Sequence, residues 1–357
     1  MKLREIALQR LSNQQLVQTR FKLPGEVASW LGALQGQDYA GAKWSLGLRL
    51  PGSTEVGIEQ AIVERTIVRT WALRGTLHFL AAVDARWMLA LLSKRLIAGS
   101  ARRNRELELD EHTLVRSNDL LAQAVGGGAQ RTRAELLSVL EQNGISTDGQ
   151  RGIHMLWRAS LDGLLCQGIT RGKNSIFFAF EELPNSAKTQ GRDEALAELA
   201  GRYFTSRGPA TLPDFVWWSG LLASEARAGL EAVRSKLDKE IIDGQTYWFS
   251  PSESKLKESS ADVYLLPGFD EYLLAYKDRS ASLDVPNYKR LTPTNGMLPA
   301  TIVSAGRVIG TWKRTFKKDT VVITPNPFEA IGSEESEALA VAAKRYGEFL
   351  GMMVSES

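Results

Sequence analysis

TRAELLSVLEQNGISTDGQRGIHMLWRASLDGLLCQGITRGKNSIFFAF, residues 132–180, reads as helix, helix and hairpin in succession. Thr132 and Glu135 have capping-box spacing, in which a hydroxyl and a carboxylate each satisfy an amide donor at a helix start. Leu136, Leu137 and Leu140 then fall on one face, and Gly144 can end the helix in a left-handed conformation. A second helix is expected over residues 152–163. Residues 164–170 and 176–180 are β-rich and flank a turn at Gly172-Lys173-Asn174, which predicts paired strands.

The same pattern recurs on both sides. Upstream, residues 3–16, 25–35 and 56–65 have helical apolar spacing. Strands are expected at 68–73 and 76–80, around Arg74-Gly75. Downstream, helices are expected at 194–206, 212–220 and 225–237. A hairpin at 240–249 follows, marked by Asp243-Gly244, since Asp-Gly between β-rich runs is a strong turn signal. Helices closed by a hairpin are the layout of a winged helix, a helix-turn-helix variant. The expectation is an α+β chain of tandem winged-helix domains over residues 1–105, 106–185 and 186–252. A C-terminal mixed β section with a terminal helix would fill 253–357. In that section, strands are expected at 263–266, 300–304, 308–312 and 321–324, and an amphipathic helix at 333–350. Residues 250–260, rich in Ser, Lys and Glu, read as a linker, and 278–299 as a long ordered loop.

Composition narrows the class. The 357 residues are 43% apolar and 24% charged, which fits a globular chain. A net charge of +3 permits nucleic-acid binding without requiring it. One cysteine, Cys166, excludes an internal disulfide and fits a reducing compartment. Residues 1–16 lack a signal-peptide apolar core, and no run approaches the ~18 apolar residues of a membrane span. A cytoplasmic, nucleoid-associated monomer is expected. His78, His112, His154 and Cys166 are too scattered to make a structural zinc site.

Two segments carry functional-looking polar clusters, LQGQDYAGAKWSLGLRL (34–50) and TWALRGTLHF (70–79). Gln35 and Gln37 sit one residue apart beside Asp38, at the end of an expected helix. Taken alone, they merely finish that helix and face water. An amide oxygen can also accept a hydrogen bond from a water molecule and hold it in place. No amide is a base near neutral pH, so such a site suits a substrate that needs little push. In the second segment, strand alternation puts Thr76 and His78 on one face. Arg69 and Arg74 are candidates for phosphate contact, while His78 is read either as near a site or as a buried, hydrogen-bonded structural residue. Trp44 reads as core, and Arg49 as shaping the first domain.

LLPGFDEYLLAYKDR (265–279) crowds five charged side chains against apolar strands. An ion-pair network tying the C-terminal section to the rest is the preferred reading. General acid–base chemistry or a divalent cation is the alternative, and Asp270 and Tyr272 remain candidates for a DNA-facing cleft. Arg307, in the glycine-flanked stretch 306–312, is a further DNA-facing candidate. Basic clusters at 94–95, 102–105, 131–133 and 313–318 could neutralise phosphates if they share a surface.

As a set, these motifs resemble those of the bacterial winged-helix DNA glycosylases of the interstrand-crosslink-repair and azinomycin-resistance group. The likeness runs in order from about residue 31 to 312. It includes a Trp-x-x-Arg-Gly-Thr-Leu-His segment, a segment around Trp217-Trp218, and the stretch 265–279. That family carries a catalytic Gln–aliphatic–Gln motif, with Gln–aliphatic–Asp in a sister branch. Gln35-Gly36-Gln37 fits the Gln–Gln form, with glycine in place of the aliphatic residue. Asp38 lies one place too late for the Gln–Asp form and is read chiefly as a cap on the next segment, the alternative being a negative charge near the sugar. The resemblance implies hydrolysis of the N-glycosidic bond of alkylated purines in duplex DNA, chiefly N7-alkylguanine, with water as nucleophile and no cofactor or metal. Two rival readings stand: a non-catalytic winged-helix DNA-binding protein, and a small-molecule hydrolase built on Asp270 and Glu271.

Overall fold

The computed structural model describes residues 2–172, 174–184, 191–251, 262–291 and 298–356. Lys173 of the expected turn and most of the expected 250–260 linker lie outside them. The N-terminal part holds α1 (Leu3–Asn13), α2 (Pro24–Leu31), β1 (Leu34–Gln35), α3 (Tyr39–Leu48) and α4 (Glu55–Val63). The hairpin β2 (Ile67–Trp71) and β3 (Leu77–Ala81) follows, then α5 (Ala82–Gly99), α6 (Ala101–Glu106) and α7 (Glu111–Val125). Next come β4 (Arg131–Thr132), α8 (Arg133–Gln142), α9 (Arg151–Leu161), β5 (Leu165–Arg171) and β6 (Asn174–Ala179). Helices α10 (Arg192–Arg207), α11 (Leu212–Ser219) and α12 (Ala223–Val233) precede the hairpin β7 (Asp238–Ile242) and β8 (Gln245–Phe249). The C-terminal part has β9 (Val263–Leu266), α13 (Glu271–Leu274), α14 (Val285–Leu291), β10 (Thr301–Ser304), β11 (Arg307–Lys317), β12 (Thr320–Pro327), α15 (Ser333–Leu350) and β13 (Met353–Glu356).

These elements gather into two compact units. One combines Met1–Ile58 with Leu196–Ser357, and the other is Glu59–Ala195. This division is coarser than the four expected segments and runs through the first of them.

In the contiguous unit the capping box forms as read. The Thr132 hydroxyl accepts from the Glu135 amide at 3.2 Å, and Glu135 accepts from the Thr132 amide at 2.6 Å. Gly144 and Gly163 take positive φ where α8 and α9 end. The hairpins β2–β3 and β5–β6 are not separate wings. Strand β2 pairs with β5 through Arg69 opposite Gln167, so the order here is β3-β2-β5-β6-β4. Joining the hairpins satisfies backbone donors that a free edge would expose. Helices α5, α6 and α7 fill a stretch in which the sequence pattern predicts no element. The start of α7 nevertheless carries a local signal, the Asp110 side chain accepting from the Thr113 amide at 2.8 Å.

The discontinuous unit contains the third hairpin and the C-terminal sheet. Asp243 and Gly244 both have positive φ, 50° and 76°, as the two-residue turn between β7 and β8 requires. The sheet order is β13-β12-β11-β10-β9. Its ladders are antiparallel except β12–β13, which is parallel, so the mixed β section with a terminal helix is present. Helix α15 packs Tyr346 and Phe349 against Trp44, with ring centroids 4.9 and 5.0 Å apart. Trp44 is therefore core, as expected. The expected loop at 278–299 is interrupted by α14, and residues 292–297 lie outside the described ones.

The turn between β10 and β11 places Ala305 and Gly306 at φ 45° and 81°. A Cβ on Gly306 would lie 2.9 Å from the Ala7 Cβ and 3.1 Å from the Ala7 carbonyl carbon. Gly306→Ala combines a disfavoured φ with a clash against backbone. It is expected to lower stability by about 1–3 kcal/mol, read as a lower urea midpoint at unchanged m-value. An unchanged midpoint would contradict this account of the turn.

Candidate active site

Helix α2 ends at Leu31 because Gly32 turns the chain out at φ 71°. Gln35 is therefore not at a helix end, as its sequence context predicts, but on the short extended segment β1. Gln35 is half-buried, Gly36 buried, Gln37 exposed and Asp38 half-buried. Asp38 occupies the N-cap position of α3, as expected, but its side chain makes no capping hydrogen bond.

A buried ion pair grips this segment. The Gln35 amide donates to Glu271 Oε1 at 3.0 Å. Arg207 donates to the other oxygen of that carboxylate through Nε at 3.2 Å and Nη2 at 2.7 Å. The same guanidinium reaches the carbonyls of Leu31 at 2.5 Å and Ala33 at 2.8 Å. Trp218 completes the set, with its indole N–H 2.9 Å from Glu271 Oε2 and its ring 4.3 Å beneath the guanidinium. Arg207 and Glu271 are both fully buried. One carboxylate and one guanidinium thus hold residues 31–35 by their amide and carbonyl groups at once.

The neighbouring Asp270 faces a different arginine. Arg49 donates to both its oxygens at 3.0 Å, and Ser45 Oγ donates at 2.6 Å. The Tyr272 amide donates at 2.9 Å, making Asp270 the cap of α13. Arg49 also donates to the Gln14 carbonyl and Gln14 Oε1, both at 3.0 Å, tying the end of α1 to the cluster. Burial pushes the Asp270 carboxyl up, but the charge and hydrogen bonds of Arg49, with Ser45 and the Tyr272 amide, outweigh it. The net effect holds Asp270 below the ordinary carboxylate range.

The preferred ion-pair reading of 270–271 is thus the observed one. Asp270 and Tyr272 do not face a cleft. Tyr272 is fully buried, donating to the Gly306 carbonyl at 2.7 Å and accepting from Ser282 Oγ at 3.0 Å. The two carboxylates are saturated by separate arginines, which removes the basis for acid–base or cation chemistry between them. Among the described residues, no group of three or more His, Cys, Asp and Glu side chains is placed to hold a metal ion. Arg307 is paired with Asp284 and reaches the Ser280 and Ala281 carbonyls, so it braces a loop.

The open space lies next to Asp38. A cleft of about 600 Å³ is lined by Asp38, Pro267, Gly268, Phe269, Trp312 and Lys313, among others. Trp312 is fixed by its indole N–H on the Leu266 carbonyl at 2.8 Å. Phe269 sits at φ 61°, unusual for a bulky residue and tolerated because the next two side chains are clamped. The basic cluster at 313–318 falls on the β11–β12 hairpin, and its Lys313 and Arg314 line this cleft.

In the contiguous unit, Arg69 is buried and donates to Gln167 Oε1 at 2.9 Å across the joined sheet, so it has no face for a phosphate. Arg74 takes φ 57° in the turn and is half-buried. Thr76 Oγ1 donates to the Leu73 carbonyl at 3.2 Å. His78 is fully buried, with Nδ1 2.9 Å from the Thr76 carbonyl, the structural alternative of its two readings.

Sequence reading missed Arg207 and the role of Arg49. The signal was available, since adjacent carboxylates in an apolar run require two buried cations.

The chain belongs to the AlkZ-like DNA glycosylase family, whose model matches residues 28–349. The interstrand DNA cross-link repair glycosylase of Streptomyces sahachiroi is 25% identical over 342 residues, covering 91% of this chain and 90% of that protein. The fold is also that of the solved structure of the Streptomyces sahachiroi DNA glycosylase AlkZ, with TM-score 0.80 at 21% identity over the whole of both chains. The α+β class and the family resemblance drawn from the motifs are thereby established.

Two stability effects follow from the clamps. Glu271→Gln leaves the Arg207 charge buried without its counter-charge and is expected to cost about 3–5 kcal/mol in urea unfolding. Asp270→Asn is expected to cost a similar amount at pH 7. Because the folded Asp270 pKa is depressed, its contribution is complete above the unfolded value near ~3.9 and fades as pH falls through the folded value. The wild-type advantage over Asp270→Asn should therefore shrink below about pH 4. A gap that stays constant into acid would refute the linkage.

Among the described residues, no helix is long and apolar enough to cross a membrane.

Proposed function

We propose that this enzyme is a monofunctional glycosylase that hydrolyses the N-glycosidic bond of N7-alkylated purines in duplex DNA, acting as a monomer in the nucleoid. Gln35 and Gln37 position the attacking water, and their amide oxygens stabilise the sugar cation as it forms. An N7-alkylated purine is already cationic and departs readily, so the site needs electrostatic help and orientation more than a strong base. That matches a motif built of amides. Asp38, on the adjoining cleft, adds negative charge near the sugar, and the cleft has room for the damaged base.

The observation that carries this reading is the grip of the Arg207–Glu271 pair on residues 31–35. Catalytic groups work when their backbone is held before substrate arrives, and a fully buried clamp on an amide-bearing segment is that kind of support. Gly36 in place of an aliphatic residue would loosen the motif; the clamp offsets this from outside. The curated relative's name speaks of interstrand crosslinks, and we extend our reading to crosslinks joined through N7 of guanine. We also propose that the helices closed by the separate β7–β8 hairpin act as a winged-helix module, with the basic β11–β12 hairpin contacting phosphates.

The test is excision from a duplex oligonucleotide holding one N7-methylguanine, read as alkali-labile abasic sites. Wild-type protein is expected to excise, and the Gln35→Ala/Gln37→Ala variant to lose on the order of 10²-fold or more in rate. Undiminished excision by the variant would move catalysis elsewhere. Salt-sensitive duplex binding without excision of either the methylated base or a crosslink would favour a purely binding role.

A further inference from the structure

A second and larger cleft, of about 990 Å³, lies in the discontinuous unit among α11, α12, β8 and the segment 277–289. None of the residues assigned to the glycosylase site lines it. Its floor is apolar, with Leu212, Leu230 and Leu283, and two aromatic rings border it, Trp248 on β8 and Tyr288 on α14. Tyr288 is 41% exposed and Trp248 is half-buried, so both rings present area to the cleft.

The charges on the walls divide into committed and uncommitted. Each acidic group is already engaged. Asp214 accepts from the amides of Lys277 and Asp278 at 2.9 and 3.1 Å, Asp278 accepts from the Ser280 amide at 2.9 Å, and Glu231 pairs with Arg234 at 3.2 Å. The cations Arg227, Lys277 and Lys289 are exposed, and none forms an ion pair with a described residue. Lys239 adds positive potential 5.8 Å from the Trp248 ring.

Aromatic faces over an apolar floor, rimmed by uncommitted cations, match a planar ring that carries negative charge on a flexible tether. We propose that this cleft binds unpaired nucleotides of a DNA strand, with bases stacked on Trp248 and Tyr288 and phosphates on Arg227, Lys277 and Lys289. It would hold single-stranded DNA next to a lesion or at a strand end. This rests on the proposal that the enzyme works on DNA.

The experiment is fluorescence anisotropy of a labelled single-stranded oligodeoxyadenylate against wild type, Trp248→Ala and Lys277→Gln/Lys289→Gln, with thermal unfolding of each. Trp248→Ala is expected to weaken binding about tenfold, as loss of one stacked base does. The exposed double lysine variant should fold as wild type and lower the slope of log affinity against log salt by about 0.7 for each phosphate it no longer neutralises. Unchanged affinity and slope in the lysine variant would overturn the proposal, whatever becomes of Trp248→Ala. Competition by adenosine monophosphate at concentrations near its own affinity for the cleft, with no gain from a longer strand, would assign the cleft to free nucleotides and overturn the strand reading. Excision of N7-methylguanine from a duplex by the same wild-type preparation is scored separately. It tells failure of the cleft from failure of the glycosylase reading.

Discussion

Two adjacent carboxylates, Asp270 and Glu271, organise the discontinuous unit by turning to opposite partners. Glu271 joins Arg207 and the Gln35 amide, while Asp270 joins Arg49, Ser45 and the start of α13. Burying four charges is unfavourable unless each is paired and its remaining hydrogen-bond capacity is filled. Here the filling groups are the side chains of Gln14, Ser45 and Trp218 together with main-chain atoms of three distant segments: the end of α1, residues 31–35, and the first turn of α13. Satisfying the charges therefore fixes the backbone. The segment 31–35 inherits its position from electrostatics beneath it rather than from regular secondary structure, which explains how a two-residue strand is held in place.

The same logic clarifies the chemistry. The arginines and carboxylates that look reactive in the sequence are consumed in holding the chain. Neutral, non-basic amides are left nearer the surface, where Gln37 is exposed and Gln35 half-buried. Such a division suits the reaction we propose, whose leaving group is already activated. A strongly basic residue would add little rate there, whereas loose positioning would forfeit much of it.

Local signals made much of the fold legible. The capping box at Thr132, the positive-φ glycines at 144 and 163, and Asp243-Gly244 each act over a few residues, and each element they mark is present. What sequence could not reveal was which strands meet. The pairing of β2 with β5 depends on partners nearly a hundred residues apart, so two hairpins that read as independent wings form one sheet. Burial is also a tertiary property. Arg69, Asp270 and Tyr272 looked available for DNA because their types are polar, yet each is enclosed by residues remote in sequence. Gln35 and Gln37 stood out through family resemblance, since two glutamines one apart carry no signal of their own. Glu271 and Arg207, which hold Gln35, were legible only as a carboxylate wanting an unidentified cation.

The discontinuous unit imposes an order on the birth of the molecule. Residues 59–195 form a contiguous unit that can collapse as soon as it is synthesised. Arg49, by contrast, must wait for Asp270, 221 residues later, and the Gln35 amide waits for Glu271, 236 residues later. At ordinary translation rates that delay is roughly 10–45 s, during which the first 58 residues have no completed core and stay within reach of chaperones and proteases. A nascent or truncated chain therefore carries the amide motif without the clamp that shapes it. The grip on residues 31–35 is complete only once the last quarter of the polypeptide, which carries Glu271, has been made.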